Sequence, residues 1–232
     1  MDAELSPHAH QPPLDRDDPA YAGQAVYTPA TLRSYDTIVV RLSNALVWRC
    51  PAARIVEHYD RHVDSHHLDV GPGTAYYLDR CRWPVATPRI TLLDANVGVL
   101  RYAARRIRRY RPELHAANVL EPIDIAPWSF GSVGLSYVLH CLPGGIPDKA
   151  VVFDRLIPLV DSGGVIFGTT ILGRGVTHTR VGRALLGVYN RKGIFSNLDD
   201  DRDDLVHALA QRFPRYQLDV VGAVARFAGW VE

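Results

Sequence analysis

The stretch that decides the fold is His67-Leu68-Asp69-Val70-Gly71-Pro72-Gly73-Thr74-Ala75. An apolar run with an acid near its end passes into two closely spaced glycines, which is the pattern of a buried strand turning into a helix. Glycine permits a tight turn and lets a ligand approach the backbone closely. The sequence therefore predicts a strand-to-helix turn that is open to a ligand.

A second acid ends the next apolar run, in Leu92-Leu93-Asp94-Ala95-Asn96. Because the carboxyl ends of neighbouring parallel strands meet at one edge of a sheet, Asp94 is expected beside the glycine turn. A carboxylate at that place can accept hydrogen bonds from both hydroxyls of a ribose. The two acids and the turn together predict a cofactor that carries a nucleoside.

Composition limits the classes of protein that remain. The 232 residues carry a formal net charge of +1, so no overall field favours nucleic acid or an anionic membrane surface. The three cysteines, Cys50, Cys81 and Cys141, fit neither a disulfide framework nor a metal motif. Signal-peptide and membrane-spanning patterns are not found. We expect a cytoplasmic monomer or homodimer that acts on a small molecule and contacts no nucleic acid and no membrane.

The chain divides into a short tail and one domain. Residues 1–19 are rich in Pro, His and Asp and are predicted to be disordered. Residues 20–232 are predicted to form a single domain, with a helical cap over 20–62 and an α/β core over 63–232. Apolar residues between Tyr21 and Tyr59 recur at helical spacing, and Pro51 is placed to open the second helix of the cap.

The core alternates apolar runs with helical stretches, which predicts a mostly parallel sheet wound with helices. Seven strands are predicted, at His67–Val70, Arg89–Leu93, Leu114–Asn118, Ser132–Leu139, Gly164–Thr170, Gln217–Val221 and Val224–Ala228. Four helices are predicted between them, at Ala75–Arg80, Val97–Arg111, Asp148–Leu159 and Asp203–Phe213. Gly222 predicts an antiparallel hairpin that closes the sheet.

Two known folds carry a glycine-rich turn after the first strand and an acid after the second. The dinucleotide-binding fold needs a third glycine where this chain has Tyr76, and Asp69 would repel a pyrophosphate. The second fold binds S-adenosylmethionine, which has no phosphate and carries an ammonium and a sulfonium group. A carboxylate at Asp69 would attract these positive charges. The sequence therefore favours S-adenosylmethionine over a dinucleotide.

Five segments in a fixed order carry a family resemblance. They are Asp69–Thr74, Asp94, Ala117–Pro122, Ser132–Leu142 and Asp161–Gly164, with Asn118 where an Asp is usual and Ala75 where a third glycine is usual. Together they resemble the class I S-adenosylmethionine-dependent methyltransferases, which implies the Rossmann-like fold of that superfamily. The resemblance implies these cofactor-binding residues: Asp69, Gly71, Pro72, Gly73, Thr74, Asp94, Ala95, Asn118, Val119, Leu120 and Tyr137. For Asn118, a turn or capping role is the alternative.

The methyl acceptor is less well defined by the sequence. Methyl transfer from a sulfonium is an in-line displacement, so the acceptor site depends on shape more than on a fixed catalytic set. The exit of the fourth strand lacks the Asn/Asp-Pro-Pro-Tyr/Phe segment typical of enzymes that methylate amines of bases or glutamine. We expect a small-molecule acceptor, an oxygen of a hydroxyl or carboxylate in a specialised metabolite. Nitrogen or sulfur acceptors, a non-consumptive use of the sulfonium in a cyclisation or rearrangement, and a binding protein without activity are the alternatives.

Several polar and aromatic residues are candidates for the acceptor site. His140 is the candidate general base, and packing at the strand end is the alternative. The candidate substrate-binding residues are Tyr21, Tyr27, Tyr35, His140, Tyr189, Phe195 and Asn197, for which core packing is the alternative. No metal is predicted, because the acidic run at residues 199–204 precedes a helix and complements its dipole. The arginine run at residues 105–111 lies near a predicted helix C-terminus, where positive charges complement the helix dipole.

Overall fold

A computed structural model of the chain describes residues 44–125 and 129–232. Seven strands form one sheet in the order β3-β2-β1-β4-β5-β7-β6. Strands β1 to β5 run parallel, and β7 runs antiparallel to both β5 and β6. The strands are β1 His66–Val70, β2 Arg89–Asp94, β3 Glu113–Ala116, β4 Phe130–Ser136, β5 Val160–Ile171, β6 Arg215–Val221 and β7 Val224–Trp230. This confirms the predicted mostly parallel sheet with a C-terminal antiparallel hairpin.

Helices cover both faces of the sheet. They are α1 Ala52–His62, α2 Tyr76–Arg80, α3 Val97–Arg106, α4 Ile146–Lys149, α5 Val151–Leu156, α6 Arg180–Arg191 and α7 Arg202–Ala210. Pro51 directly precedes α1, as predicted for the second cap helix. The predicted tail and the first cap helix lie outside the described residues.

The hydrophobic core has one layer on each side of the sheet. One layer joins the sheet to α4, α5 and α7 through residues such as Ile146, Phe153 and Leu205. The other joins it to α1, α2 and α3 through Ile55, Leu78 and Leu100, among others. Because side chains alternate along a strand, Leu68 and Val70 of β1 enter the first layer, and His67 and Asp69 face the second.

Strand order places a crevice at the carboxyl edge of the sheet. β1 lies between β2 and β4, so the chain leaves β1 toward one side and later returns to build β4 on the other. Ligands of open α/β sheets bind outside the carboxyl ends of the strands at such a reversal. The glycine turn after β1 lies at this point.

Some predicted boundaries are wrong, and backbone geometry explains where the elements end. The helix predicted to continue to Arg111 ends at Arg106, and a 3-10 turn over Arg108–Tyr110 leads to Arg111 in a left-handed conformation with φ 50°. The strand predicted to reach Leu139 ends at Ser136, because Tyr137 has a φ of 62° that no strand accommodates.

The helical stretches around the fifth strand also differ from prediction. The single helix predicted over Asp148–Leu159 is divided into α4, α5 and a 3-10 turn over Ile157–Leu159 that contains Pro158. Proline lacks the N–H that would continue the helix. Helix α6, over Arg180–Arg191, is absent from the predicted helices. Thr179 caps it by accepting from the Gly182 N–H at 2.9 Å.

Candidate active site

Left-handed backbone conformations shape the glycine turn after β1. Gly71 and Gly73 have φ angles of +63° and +53°, and Ala75 has a φ of 55° directly before α2. A Cβ atom placed on Gly73 would meet nothing within 4 Å, so the space beside it is open. The Gly71 N–H donates to the Leu93 carbonyl at 2.8 Å and ties the turn to β2. The turn thus presents bare backbone to the crevice.

The remaining turn residues hold this shape. The Ala75 N–H donates to the Pro72 carbonyl at 2.7 Å. Thr74 is buried, and its Oγ1 accepts from the Arg106 guanidinium at 3.1 Å. Arg106 belongs to the arginine run at the end of α3, so a residue of that run supports the turn, which sequence reasoning missed.

Asp69 is buried near the end of β1. Its Oδ2 accepts from the Tyr59 hydroxyl at 2.9 Å and pairs with His67 Nε2 at 3.3 Å. Tyr59 and His67 are candidate functional residues that sequence reasoning missed. No sequence signal singles them out, since Tyr59 is one apolar position of a helical pattern and the contact forms only when α1 packs on β1.

Asp94 ends β2 at the same edge of the sheet. Its Oδ1 accepts from the Asn96 N–H at 2.7 Å, and Ala95 lies between them in the loop to α3. Desolvation in this recess raises the pKa of Asp94 to about 7, and the Asn96 N–H acts in the opposite direction. Hydroxyl groups that donate to this carboxylate, as ribose hydroxyls do, would stabilise its ionised form.

The segment after β3 reaches the end of β2. The Ala117 N–H donates to the Asp94 carbonyl at 3.3 Å, which brings Asn118 near the second acid. Asn118 Oδ1 accepts from the Leu120 N–H at 3.1 Å, so part of its hydrogen-bonding capacity serves the turn. Val119 is buried between them and joins the hydrophobic core.

The exit of β4 meets the glycine turn. Tyr137 has a φ of 62°, and its N–H donates to the Thr169 carbonyl at 2.8 Å. A Cβ atom on Gly71 would lie 2.7 Å from Val138 Cγ2, so glycine is required for this close approach. The structure therefore brings the turn, Asp69, Asp94 and Tyr137 to the same edge of the sheet.

Aromatic rings continue from Tyr137 toward the segment after α6. His140 contacts Tyr137 edge-on at 5.8 Å between ring centroids, and Phe195 contacts His140 edge-on at 4.5 Å. Tyr189 packs on Phe195 at 4.9 Å, and Trp48 on Phe195 at 6.2 Å. We call Tyr137, His140, Phe195 and Tyr189 the aromatic wall.

His140 is buried within the aromatic wall. Burial, and secondarily the Lys149 ammonium, lower the pKa of His140 to about 3, so the ring is neutral at physiological pH. Its Nδ1 lies 3.5 Å from the Ile171 N–H, at the long limit for a hydrogen bond. A ring that accepts at Nδ1 carries its proton on Nε2.

Asn197 is placed differently from Tyr189 and Phe195. Its side chain is buried, donates to the Ile171 carbonyl at 2.8 Å and accepts from Asn190 Nδ2 at 3.0 Å. Its amide is thus used within the protein, to hold the segment that carries Phe195. The candidates Tyr21, Tyr27 and Tyr35 lie outside the described residues.

A buried ion pair lies beneath the same segment. Lys149 Nζ donates to Asp200 Oδ2 at 2.6 Å and also to the Ser196 carbonyl, and both charged side chains are only 1% exposed. The acidic run at residues 199–204, predicted to complement the dipole of a helix, lies at the start of α7. Asp201 caps α7 by accepting from the Asp204 N–H at 2.9 Å, which fits this prediction.

These residues fit S-adenosylmethionine. The open space beside Gly73 admits a ligand to the backbone, and the desolvated Asp94 carboxylate matches a hydroxyl-bearing ribose. Asp69 adds a buried acid without a phosphate site, which suits a cationic amino-acid portion. No described helix is long and apolar enough to cross a membrane, and no described cluster of His, Cys, Asp or Glu could hold a metal ion.

This strand order and this site define the class I S-adenosylmethionine-dependent methyltransferases. No protein-family model matches the chain. Demethylluteothin O-methyltransferase of Streptomyces thioluteus is 41% identical over 208 residues, which cover 90% of each protein. The physcion biosynthesis cluster O-methyltransferase of Aspergillus chevalieri is 35% identical over 211 residues, 90% of this chain and 95% of the relative. The N-methyltransferase vrtF of Penicillium aethiopicum is 33% identical over 216 residues, 90% and 88% of the two chains.

Solved structures show the same fold at lower identity. The DhpI complex with S-adenosylhomocysteine matches with a TM-score of 0.63 and 15% identity, over 90% of this chain and 95% of that one. The chain belongs to the class I S-adenosylmethionine-dependent methyltransferases, and its cofactor is S-adenosylmethionine. These findings confirm the predicted family and the predicted cofactor.

Proposed function

We propose that this enzyme methylates an oxygen atom, in a hydroxyl or carboxylate group, of a small specialised metabolite. The observation that carries the proposal is the aromatic wall beside the crevice, which suits a small acceptor with a planar apolar part. The names of two relatives, which describe O-methyltransferases, support the choice of oxygen.

In this proposal the cofactor is held by the residues inferred from the motifs. Asp94 accepts from the ribose, the backbone at Gly71 and Gly73 lines the amino-acid portion, and Asp69 faces its ammonium. The adenine lies against the segment that includes Asn118. When bound, S-adenosylmethionine supplies an electrophilic methyl group on its sulfonium. The protein contributes position and exclusion of water, which lower the barrier to an in-line displacement.

His140 is proposed as the group that meets the acceptor oxygen. With a pKa near 3 it is a weak base, and a proton on Nε2 makes it a hydrogen-bond donor instead. These two roles predict different outcomes for His140→Gln, because a glutamine amide donates a hydrogen bond but does not take a proton. We expect His140→Gln to retain most methyl transfer and His140→Ala to raise the acceptor KM, in assays of S-adenosylhomocysteine release. A loss of kcat in both variants would indicate that His140 acts as a general base.

The choice of acceptor atom is tested with matched compounds. The compounds carry a hydroxyl, carboxyl, amino or thiol group on the same bicyclic aromatic ring, as a phenol, an aromatic acid, an aniline or a thiophenol. They differ only in the reacting group. We expect S-adenosylhomocysteine to accumulate with the phenol or the acid. Turnover confined to the aniline or thiophenol would favour nitrogen or sulfur; the relative vrtF is named as an N-methyltransferase. A rearranged product without S-adenosylhomocysteine would favour the non-consumptive alternative.

We further propose a cytoplasmic enzyme, monomeric or homodimeric, that contacts no nucleic acid and no membrane. All three cysteines are free thiols, which suits a reducing compartment. Two of the arginines in the basic run are engaged by Thr74 and Asp79, at 3.1 and 2.5 Å. Gel filtration and a titration with duplex RNA would check the oligomeric state and the absence of nucleic-acid binding.

A further inference from the structure

Four buried residues, Asp69 among them, form a hydrogen-bonded chain. The Asp64 N–H donates to Ser132 Oγ at 2.7 Å, and Ser132 Oγ lies 2.8 Å from His67 Nδ1. His67 Nε2 lies 3.3 Å from Asp69 Oδ2, and the Tyr59 hydroxyl lies 2.9 Å from the same oxygen. His67, Asp69, Ser132 and Tyr59 are at most 2% exposed. The chain links α1, β1 and β4.

Donor and acceptor capacities fix the protons in this chain. A backbone N–H can only donate, so Ser132 accepts from Asp64 and its own hydroxyl hydrogen is free to donate to His67 Nδ1. A carboxylate only accepts, so the contact with Asp69 Oδ2 places a proton on His67 Nε2, and in the neutral ring Nδ1 is then the acceptor for the Ser132 hydroxyl. Burial raises the pKa of Tyr59 well above its usual value, so its hydroxyl also keeps the proton and donates.

Neighbouring residues pack closely around these side chains. The Tyr59 ring stacks on Tyr77 at 5.6 Å and meets Phe167 edge-on at 5.0 Å. A Cβ atom at Gly134 would lie 2.8 Å from Asp69 Oδ2 and 3.2 Å from His67 Cε1. Glycine at this position of β4 therefore leaves just enough room for the carboxylate and the imidazole.

We propose that Tyr59 and His67 are positioning residues for cofactor binding, which hold Asp69 Oδ2 inward so that Oδ1 faces the ammonium of the cofactor. Both hydrogen bonds that reach Asp69 within the described residues arrive at Oδ2. A carboxylate fixed in this way loses no side-chain freedom when the cation binds. The inference rests on the proposed cofactor role of Asp69.

The test compares two ligands that differ in the amino-acid portion. S-adenosylhomocysteine carries the ammonium, whereas 5′-methylthioadenosine retains the adenine, ribose and thioether without it. We expect Tyr59→Phe to weaken S-adenosylhomocysteine by about 3- to 10-fold, the effect of one hydrogen bond, and to leave methylthioadenosine within twofold. The KM for S-adenosylmethionine should rise while kcat stays constant. Tyr216→Phe, which removes a hydroxyl from an exposed side chain on β6, four strands from β1 in the sheet, is the matched control.

Each other outcome has a definite meaning. Equal weakening of both ligands by Tyr59→Phe, or no weakening, overturns the positioning role. Asp69→Asn tests the underlying assignment separately: if it leaves S-adenosylhomocysteine binding intact, Asp69 does not meet the ammonium. If Asp69→Asn weakens binding and Tyr59→Phe does not, only the positioning role fails. Adding Tyr59→Phe to Asp69→Asn should cost little more, since the two residues act as one unit.

A spectroscopic measurement checks the protonation pattern without any variant of Tyr59. In protein labelled with ¹⁵N-histidine, the imidazole correlations of His67 should show the Nε2–H tautomer, with His67→Gln used to assign the signal among the ten histidines. An Nδ1–H tautomer would overturn the proposed chain of donors.

Discussion

At the scale of single residues, the crevice holds an acidic side chain whose surroundings disfavour its charged form. This side chain is Asp94, whose carboxylate has one backbone donor and a pKa raised to about 7 by desolvation. Ribose hydroxyls would stabilise the ionised form, so binding of the cofactor should lower this pKa. Affinity and proton release are therefore coupled at Asp94.

The first prediction concerns the pH dependence of cofactor affinity. Between pH 8 and pH 6 the free enzyme takes up a proton at Asp94, and the protonated carboxyl accepts hydrogen bonds less well. We expect the Kd for S-adenosylhomocysteine to rise toward acid, by up to about tenfold per pH unit below the pKa. Calorimetry in two buffers of different ionisation enthalpy should detect proton release near pH 6.5. Asp94→Asn, which cannot ionise, should bind more weakly with a flat profile; a flat profile in the wild type would contradict the coupling.

The second prediction concerns Gly134 on β4. A Cβ atom there would overlap Asp69 Oδ2, so Gly134→Ala should displace the carboxylate and crowd His67. We expect a loss of about 1–3 kcal/mol in unfolding free energy, as for other overpacked cores, together with weaker S-adenosylhomocysteine binding. Gly187→Ala on α6, where a Cβ would be 3.3 Å from the far end of Arg191, serves as the control. Urea denaturation and calorimetry give both quantities, and unchanged binding in Gly134→Ala would show that the carboxylate has room to move.

At the scale of elements, the segment between α6 and α7 is held from below. The Lys149 ammonium on α4 reaches both Asp200 and the Ser196 carbonyl, and the Ser196 N–H donates to the His140 carbonyl at 2.9 Å. Phe195 of the aromatic wall is thereby fixed against His140. Burial lowers the pKa of Lys149 and raises the pKa of Asp200 to about 6, and their mutual attraction opposes both shifts.

The third prediction follows from this buried pair. Lys149→Met leaves the Asp200 carboxylate buried without its partner and should reduce the unfolding free energy by about 3–5 kcal/mol. The double variant Lys149→Met with Asp200→Asn should recover part of this loss, because no isolated charge remains. In the double variant we expect a higher acceptor KM with unchanged cofactor affinity, measured by steady-state kinetics. Equal stability of the single and double variants would show that the unpaired Asp200 carboxylate carries no penalty of its own.

Sequence reasoning succeeded where the signal is local and failed where partners are distant. The glycine turn, Asp69 and Asp94 can be recognised from the sequence because strand, turn and acid follow one another along the chain. Tyr59, 10 residues before Asp69, has no such signature, since its contact depends on how α1 packs. Lys149 and Asp200 are 51 positions apart and become a pair only in the folded core. The end of β4 was missed for the same reason, as the positive φ of Tyr137 is set by contacts with β5.

At the scale of the whole molecule, buried histidines and buried carboxyls change the unfolding free energy in opposite directions as the pH falls. Burial lowers the pKa values of His58 and His140 to about 3 each, and it raises those of Asp94 and Asp200 to about 7 and about 6. Below pH 6.5 these histidines take up protons in the unfolded chain but stay neutral in the folded protein. They therefore reduce the unfolding free energy as the pH falls. The two carboxyls have the reverse effect, as their contribution is present in acid and is lost as the pH rises through their folded values.

The fourth prediction isolates one of these contributions. His58 on α1 contacts the Phe227 carbonyl on β7 through Nε2 at 3.0 Å, and glutamine can replace that donor without titrating. We expect the stability of the wild type relative to His58→Gln to fall as the pH decreases from about 6.5 toward 4, by up to about 1.4 kcal/mol per unit. Urea denaturation of both proteins at each pH gives this difference. A constant difference would mean that His58 is protonated equally in the folded and unfolded states.

The contact between Tyr59 and Asp69 has a consequence for protein engineering. A chimera of two related enzymes can be made by exchanging their N-terminal segments, with the junction set where the first strand begins. Here such a junction would remove Tyr59 with the exchanged segment and leave the acid of β1 in place. If Tyr59 positions Asp69 as proposed, a chimera of this enzyme has to retain tyrosine at position 59, because the exchanged segment would otherwise also weaken binding of the methyl donor.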